Sequence, residues 1–168
     1  CQKIKSSTTE ALRKFYEKDS YSLLKKDKTL DDLEALCDFW NDVSNQDKER
    51  FNDAVLRRLY VLNYAPNGMW NYFTSVYFMQ NKDANGKLDD SKFCAFLTKI
   101  TAFIWTYAVV LPGVNALRTP VYAEMVNLIE GKEVEFADFK FDPDTVKSML
   151  KNYYFSNARP ITKSMLTW

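Results

Sequence analysis

Histidine is missing from this sequence altogether, and glycine is scarce, with only four residues among 168. Without histidine the chain cannot form a Ser–His or Cys–His nucleophile pair, an HNH-type nuclease centre or most zinc sites. Four dispersed glycines also form no glycine-rich loop that could cradle a phosphate. We therefore expect no active site wholly inside this chain, and neither a bound cofactor nor a metal.

Cysteine and net charge are low as well. The three cysteines, Cys1, Cys37 and Cys94, lie far apart and form no CxxC pair, which argues against a disulfide scaffold and fits a reducing cytoplasm. Basic and acidic residues nearly cancel, 23 against 22, so only local patches could attract nucleic acid or a membrane. We find no signal-peptide pattern, and the opening on Cys1 rather than methionine suggests a piece of a longer protein.

Apolar and aromatic residues, by contrast, are abundant, and they are most concentrated in residues 93–111, FCAFLTKITAFIWTYAVVL. This stretch contains one charge, Lys99, and no glycine or proline. A helix so apolar on nearly every side must be covered by other elements or by lipid. Helical spacing predicts an inward face composed of Phe93, Phe96, Leu97, Ile100, Phe103, Ile104, Tyr107 and Leu111.

The same stretch is too short and too polar for a membrane span. Only residues 100–111 are free of charge, whereas a transmembrane helix needs about 20 apolar residues. Lys99 and three threonines interrupt the stretch, and an ionisable group inside a bilayer is costly. We predict a buried core helix in a soluble, cytoplasmic protein that makes no membrane contact.

Capping and turn signals divide the rest of the chain into further helices. Asp89 or Asp90 is expected to cap the central helix, and Asp142 to cap a helix whose first residue is Pro143. They predict a short helix after Ser7 and longer ones at about 29–43, 45–63, 69–80, 116–130, 142–154 and from Pro160 onward, with a short extended piece at 132–141. The helix at 29–43 is expected to turn inward Leu30, Leu33, Leu36, Cys37 and Trp40.

Together these elements predict an all-α fold, an irregular bundle of six to eight helices around a buried central helix at about 90–111. We expect residues 1–168 to form a single helical domain that is a fragment of a longer protein. Residues 1–28 are expected to be an arm and a short helix that are more loosely attached.

The segment 81–92 between two predicted helices resembles a calcium-binding loop. Position 12 of the loop is Lys92, where a bidentate glutamate is required, and its ammonium group would repel Ca²⁺. A polar turn explains the same residues, so a calcium-responsive helix pair is the least favoured hypothesis. The oxygen-bearing side chains of this degenerate loop are those of Asn81, Asp83, Asn85 and Asp89.

Acidic residues between Glu124 and Asp144 offer a carboxylate-only metal site as an alternative chemistry. There are seven of them, but they are scattered over a predicted helix, a loop and a helix cap. We therefore predict a solvated acidic face rather than a nuclease centre.

The C-terminal segment is basic. From Thr145 onward it has no acidic residue, and it carries Lys147 and aromatic residues at 153–155. Phosphate contacts backed by base stacking would suit this composition, but we favour the interpretation in which the aromatics pack inward and the lysines are merely solvated. Arg118 lies at the start of the predicted 116–130 helix. A cation there opposes the helix dipole, so it needs a partner, either a protein group or a phosphate. The candidate nucleic-acid contacts are Arg118, Lys151, Arg159 and Lys163.

From Phe39 onward the order of features is similar to that of a known family. The segments are 39–63, the aromatic helix MWNYFTSVYFMQ, KFCAFLTKITAFIWTYAV, NALRTPVYAEMVNLIEG and NARPITKSMLTW. This order, with the motifs ALR-x-P-x-Y and R-x-ITK-x-x-L, resembles the helical region of the GmrSD-like type IV restriction family. In those bacterial proteins the helical region follows a ParB/sulfiredoxin-like domain and often precedes an HNH nuclease domain.

The resemblance implies a helical middle part without catalytic residues. The family's nucleotide-associated Asp-Gly-Gln-Gln-Arg motif is absent here, and a chain without histidine cannot contain the HNH centre. The first hypothesis is therefore a non-catalytic scaffold of a restriction or phage-defence protein, whose partners are the flanking domains and DNA. The rival hypothesis is a free-standing helical module that docks a protein partner through Trp70, Tyr72 and Tyr77.

Overall fold

The structure is a computed structural model that describes residues 9–111, 121–136, 139, 141–156, 159 and 161–167. No β-strand occurs in these ranges, which confirms the all-α fold class. They contain a 3₁₀ helix, Lys18–Tyr21, and eight α-helices: α1 Thr9–Glu17, α2 Asp27–Asn45, α3 Asp53–Leu62, α4 Met69–Asn81, α5 Asp90–Val110, α6 Val121–Ile129, α7 Pro143–Lys151 and α8 Thr162–Thr167.

The chain divides into two compact units, one ending at Asn45 and the other starting at Gln46. Helix α2 therefore belongs with α1 in the first unit, and α3 to α8 make up the second. The single-domain organisation and the looser attachment of residues 1–28 stay predictions.

In the first unit, helix α2 buries a different face from the one predicted. Phe39 and Val43 are its buried residues, whereas Leu30 and Leu33 are 61% and 53% exposed and Cys37 is exposed too. The two stripes lie on different sides of one helix, and both are apolar. Helical periodicity alone could not identify the stripe that the fold covers.

In the second unit, helix α5 is the central helix, as predicted. Six of the eight residues assigned to its inward face are buried, Tyr107 is half-buried, and Leu111, just beyond the helix end, is 48% exposed. Among the described residues α5 is also the one helix whose length and composition would allow it to cross a membrane, and half of its most apolar window is buried inside the protein.

Helices α3, α4 and α8 are joined to α5 by specific side-chain contacts. The Tyr77 ring of α4 stacks on Phe96 of α5, with ring centroids 4.1 Å apart. Arg58 of α3 donates a hydrogen bond of 2.6 Å to the Thr98 hydroxyl of α5. The indole N–H of Trp105 in α5 donates to the Ser164 hydroxyl of α8 at 2.9 Å. The second unit is therefore an irregular bundle around α5.

Side-chain caps fix where several helices begin. The Asp89 carboxylate accepts the backbone N–H of Lys92 and starts α5, as predicted. The Asn52 side chain caps α3, so that helix starts at Asp53 rather than near residue 45, because α2 continues to Asn45. Helix α6 ends at Ile129, and Gly131 just beyond it has a φ of +73°, which suits the left-handed turn that closes a helix C-terminus.

The described residues of the segment after α6, which are 132–136, 139 and 141, do not form the continuous extended piece that was predicted at 132–141. Phe136 has a φ of +51°, which turns the chain and stacks its ring on Phe103 of α5 with centroids 3.8 Å apart. Glu124 of α6 is buried rather than solvated, and its carboxylate accepts the backbone N–H of Glu135 at 3.1 Å. Tertiary contacts with α5 and α6 therefore determine this segment's path.

Removing the α3 cap should measurably destabilise the second unit. The Asn52 side chain accepts the Val55 N–H at 2.9 Å, and losing such a cap costs about 1 kcal/mol. We expect Asn52→Ala to lower the free energy of unfolding by that amount in urea denaturation. Asn52→Ser, which retains an acceptor oxygen, should stay close to the wild type; equal losses in both variants would contradict a capping role.

Candidate nucleic-acid interface

The C-terminal segment presents its basic side chains to solvent. Lys147 and Lys151 lie one turn apart on α7, Lys163 lies on α8, and all three are exposed. None of the three makes an ion pair or side-chain hydrogen bond with any residue that the structure describes. Together with Arg159 they make up what we call the basic surface, the cations of a segment that has no acidic residue from Thr145 onward.

Arg159 is held by an aromatic ring rather than by a carboxylate. Its guanidinium carbon lies 4.8 Å from the centroid of the Tyr153 ring, a cation–π distance. Tyr153 in turn packs edge-on against Phe155, with centroids 5.0 Å apart. A guanidinium has five N–H donors, so the contact with one ring leaves donors able to bind an anion.

Two aromatic side chains next to Tyr153 in the sequence are open to solvent. Tyr154 is 72% exposed and Phe155 is 47% exposed. Exposed rings next to cations are the combination on which nucleic-acid bases stack. The prediction that these aromatics pack inward is therefore wrong for Tyr154 and Phe155, and Tyr153 is half-buried.

Buried hydroxyl groups anchor the segment that carries Arg159 and Lys163. The Ser164 side chain is 1% exposed, accepts from Trp105 and donates to the Val61 carbonyl of α3 at 3.2 Å. The Thr162 hydroxyl donates to the Ser156 carbonyl at 2.8 Å. Sequence reasoning missed both residues, because Ser and Thr in a short polar helix give no sign of burial.

Asp142 positions the helix that carries Lys147 and Lys151. Its carboxylate accepts both the backbone N–H and the hydroxyl of Thr145 at 2.8 Å, and these hydrogen bonds lower the pKa of Asp142 below its ordinary value. Asp142 followed by Pro143 is the predicted cap and first-turn proline, and helix α7 does begin there.

The cap of α7 should weaken in acid. A carboxyl group whose pKa is lower in the folded state stabilises the fold above its unfolded pKa, and that contribution is lost as the pH falls through the folded value. We expect the stability supplied by Asp142 to disappear below about pH 4. Carboxyl NMR titration should show the lowered pKa in the wild type, and Thr145→Val, which removes the hydroxyl donor, should raise it. An unchanged pKa in that variant would contradict the hydroxyl contribution.

Three of the four predicted nucleic-acid contacts, Lys151, Arg159 and Lys163, lie in this one segment. The fourth, Arg118, lies outside the described residues. The structure therefore groups Arg159 with an aromatic partner and places the two lysines on the helices that flank it, α7 and α8.

The calcium-like loop is closed by its own hydrogen bonds. The Asp83 carboxylate accepts the backbone N–H groups of Asn85 and Lys87, at 2.9 and 2.7 Å, and Gly86 adopts a φ of +72°. Arg50 also donates to the Gly86 carbonyl. Across the described part of the chain, no group of three or more His, Cys, Asp or Glu side chains is arranged to hold a metal.

The aromatic docking surface proposed for α4 is mostly core. Trp70 is 4% exposed and Tyr77 is 9% exposed, whereas Tyr72 is 55% exposed. The prediction of a docking face composed of these three rings is wrong, because α4 turns Trp70 and Tyr77 into the bundle and leaves one ring outside.

Comparison of the chain with family models, curated proteins and solved structures finds no match.

Proposed function

We propose that this chain is a non-catalytic helical domain that contacts nucleic acid through its basic surface. One observation carries the proposal: the Arg159 guanidinium lies over the Tyr153 ring at 4.8 Å, in a segment that also has exposed aromatic rings and no acidic residue. Stacked guanidinium groups, free lysines and open aromatic faces suit phosphates and bases together. Lysines that only keep one face of a helix in solvent would not require an arginine over an aromatic ring or exposed aromatic side chains.

The resemblance to the GmrSD-like family supplies the context for this proposal. In that context the chain scaffolds the flanking domains of a restriction or phage-defence protein, and catalysis belongs to those domains. The firmly anchored helix α8, tied through Ser164 to α3 and α5, would transmit the position of bound nucleic acid to its neighbours.

Salt dependence tests the proposal. If each of the four cations of the basic surface contacts one phosphate, the affinity for single-stranded DNA should fall roughly 50-fold as the salt concentration rises from about 50 to about 200 mM. The measurement is fluorescence anisotropy with a labelled oligonucleotide of mixed sequence and with the matching duplex. An affinity that does not change with salt would overturn the proposal, as would the absence of binding at low salt.

A protein-binding module remains the second candidate, now on a different surface. Leu30 and Leu33 of α2 are exposed, and the helix around them carries six carboxylates and one lysine. An apolar stripe within a strongly acidic helix suits a basic amphipathic helix as its partner.

The test of this candidate uses a labelled amphipathic peptide of leucine and lysine. We expect Leu30→Ser with Leu33→Ser to weaken its binding several-fold without lowering thermal stability, because both side chains are already exposed. Leu166→Ser, which alters an exposed leucine of α8, is the matched control. Equal losses of peptide binding in the Leu30→Ser, Leu33→Ser double variant and in Leu166→Ser would contradict a specific site on α2.

A further inference from the structure

A cavity in the second unit, distant in the sequence from the basic surface, has the features of a small-molecule site. It has a volume of about 420 Å³ and lies between the end of α4, the first half of α5 and the turn after α6. Sites for small molecules in proteins commonly measure about 300–1,000 Å³. The space is therefore sufficient for a compact ring system and a polar substituent.

One wall of the cavity is aromatic and firmly packed. The stacked rings of Tyr77 and Phe96 line it, and Tyr77 also stacks on Phe93 at 5.6 Å. Leu128 and Val134, 7% and 4% exposed, line it as well. These rings are supported by other core side chains, so the cavity presents an apolar surface that is already ordered before a ligand arrives.

The charged residues of the lining are held by exposed ion pairs. They are Lys99, Lys132 and Glu133, and the Lys132 ammonium donates to the Glu130 carboxylate at 3.1 Å while its side chain stays 65% exposed. The Lys99 ammonium lies 3.9 Å from the Glu133 carboxylate, and the Glu133 side chain is 88% exposed. Such an exposed, distant ion pair is weak, so the anionic group of a ligand can replace Glu133 beside Lys99.

Tyr77 adds a hydrogen-bond donor to this wall. Its hydroxyl makes no hydrogen bond with any residue that the structure describes. Burial, and secondly the charge of Asp89, raise the pKa of Tyr77. The phenol therefore remains protonated at neutral pH, where it can donate a hydrogen bond to an anionic oxygen.

We propose that this cavity binds a small aromatic carboxylate, whose ring lies against Tyr77, Phe96 and Leu128 and whose carboxylate group faces Lys99 and Lys132. A cation would face the ammonium groups of Lys99 and Lys132. A purely apolar molecule would leave the Lys99 ammonium and the Tyr77 hydroxyl without a ligand partner. The proposal concerns a site separate from the basic surface and does not depend on nucleic-acid binding.

The test uses 2-naphthoate, the neutral 2-naphthalenemethanol and the cationic 2-naphthylmethylamine as probes, measured by calorimetry with the full chain. We expect saturable binding of one naphthoate, about tenfold tighter than the alcohol because charge-assisted hydrogen bonds are the stronger ones, and no binding of the amine. Lys99→Gln should remove most of that preference for the carboxylate while the alcohol binds as before.

A cavity-filling variant shows whether naphthoate binds in this cavity or on another apolar surface of the protein. Ala95 is exposed on α5 and lines the cavity, so Ala95→Trp should block the space, keep the fold and abolish naphthoate binding. Ala54→Trp, at an exposed position of α3, is the control and should bind like the wild type. Absence of saturable naphthoate binding by the wild type, equal affinity for carboxylate and alcohol, or undiminished binding by Ala95→Trp would overturn the proposal.

Discussion

Replacing Phe93 with alanine is expected to lower the free energy of unfolding of the second unit by about 3–5 kcal/mol. Phe93 is 0% exposed in the central helix α5, and its ring stacks on Tyr77 at 5.6 Å and packs against Phe51 at 6.2 Å. The substitution removes the apolar contacts of the ring and leaves a cavity in the middle of the bundle. Since domains of this size are stable by only about 5–15 kcal/mol, the loss would bring the protein close to unfolding.

Tyr72→Ala is the matched control for that experiment. Tyr72 is also an aromatic residue of a helix in the same unit, but it is 55% exposed, so its removal should change stability by less than about 0.5 kcal/mol. Urea denaturation followed by circular dichroism measures both variants. Similar losses for Phe93→Ala and Tyr72→Ala would show that α5 is not the centre of the core.

Reversing three charges of the basic surface is expected to weaken binding to single-stranded DNA at least about 100-fold at low salt. The triple variant Lys151→Glu, Arg159→Glu and Lys163→Glu changes the charge of this acid-free segment by six units. It also removes the guanidinium stacked on Tyr153. Because fewer phosphates would be contacted, the slope of the logarithm of the binding constant against the logarithm of the salt concentration should become shallower by about two.

A second triple variant controls for the change in overall charge. Lys25→Glu, Lys87→Glu and Lys92→Glu produce the same net change at exposed positions that make no ion pair with the described residues. We expect this control to retain most of the wild-type affinity, while circular dichroism shows that both variants are folded. If the two variants lose affinity equally, binding follows net charge and the basic surface is not a site.

Local signals in the sequence were sufficient for much of the helical framework. The absence of glycine, proline and repeated charge from 93–111 determined a long helix, and Asp89 and Asp142 marked the starts of α5 and α7 as the structure has them. Caps and breakers act through the backbone of the next few residues. They can therefore be recognised without knowledge of the rest of the fold.

The candidate site could be predicted only in part from the sequence. Composition alone identified a segment with basic and aromatic residues and no acids, and the resemblance to a known family supplied its proposed context. Whether an aromatic ring faces the core or the solvent depends on what lies against it, so exposure of Tyr154 and burial of Trp70 became known only from the structure. The same holds for Ser164, whose hydroxyl bridges residues far apart in the chain.

The sequence by itself determined that this chain is helical, that α5 is a long and largely apolar helix, and that no histidine-dependent chemistry can occur within it. Only the tertiary structure decided which of two apolar stripes α2 buries, and that Arg159 stacks on Tyr153. It also decided that Tyr77, Lys99 and Lys132 line one cavity. The physical reason is that helix formation depends on neighbours within a few residues, whereas burial and site geometry depend on contacts between residues that the fold alone brings together.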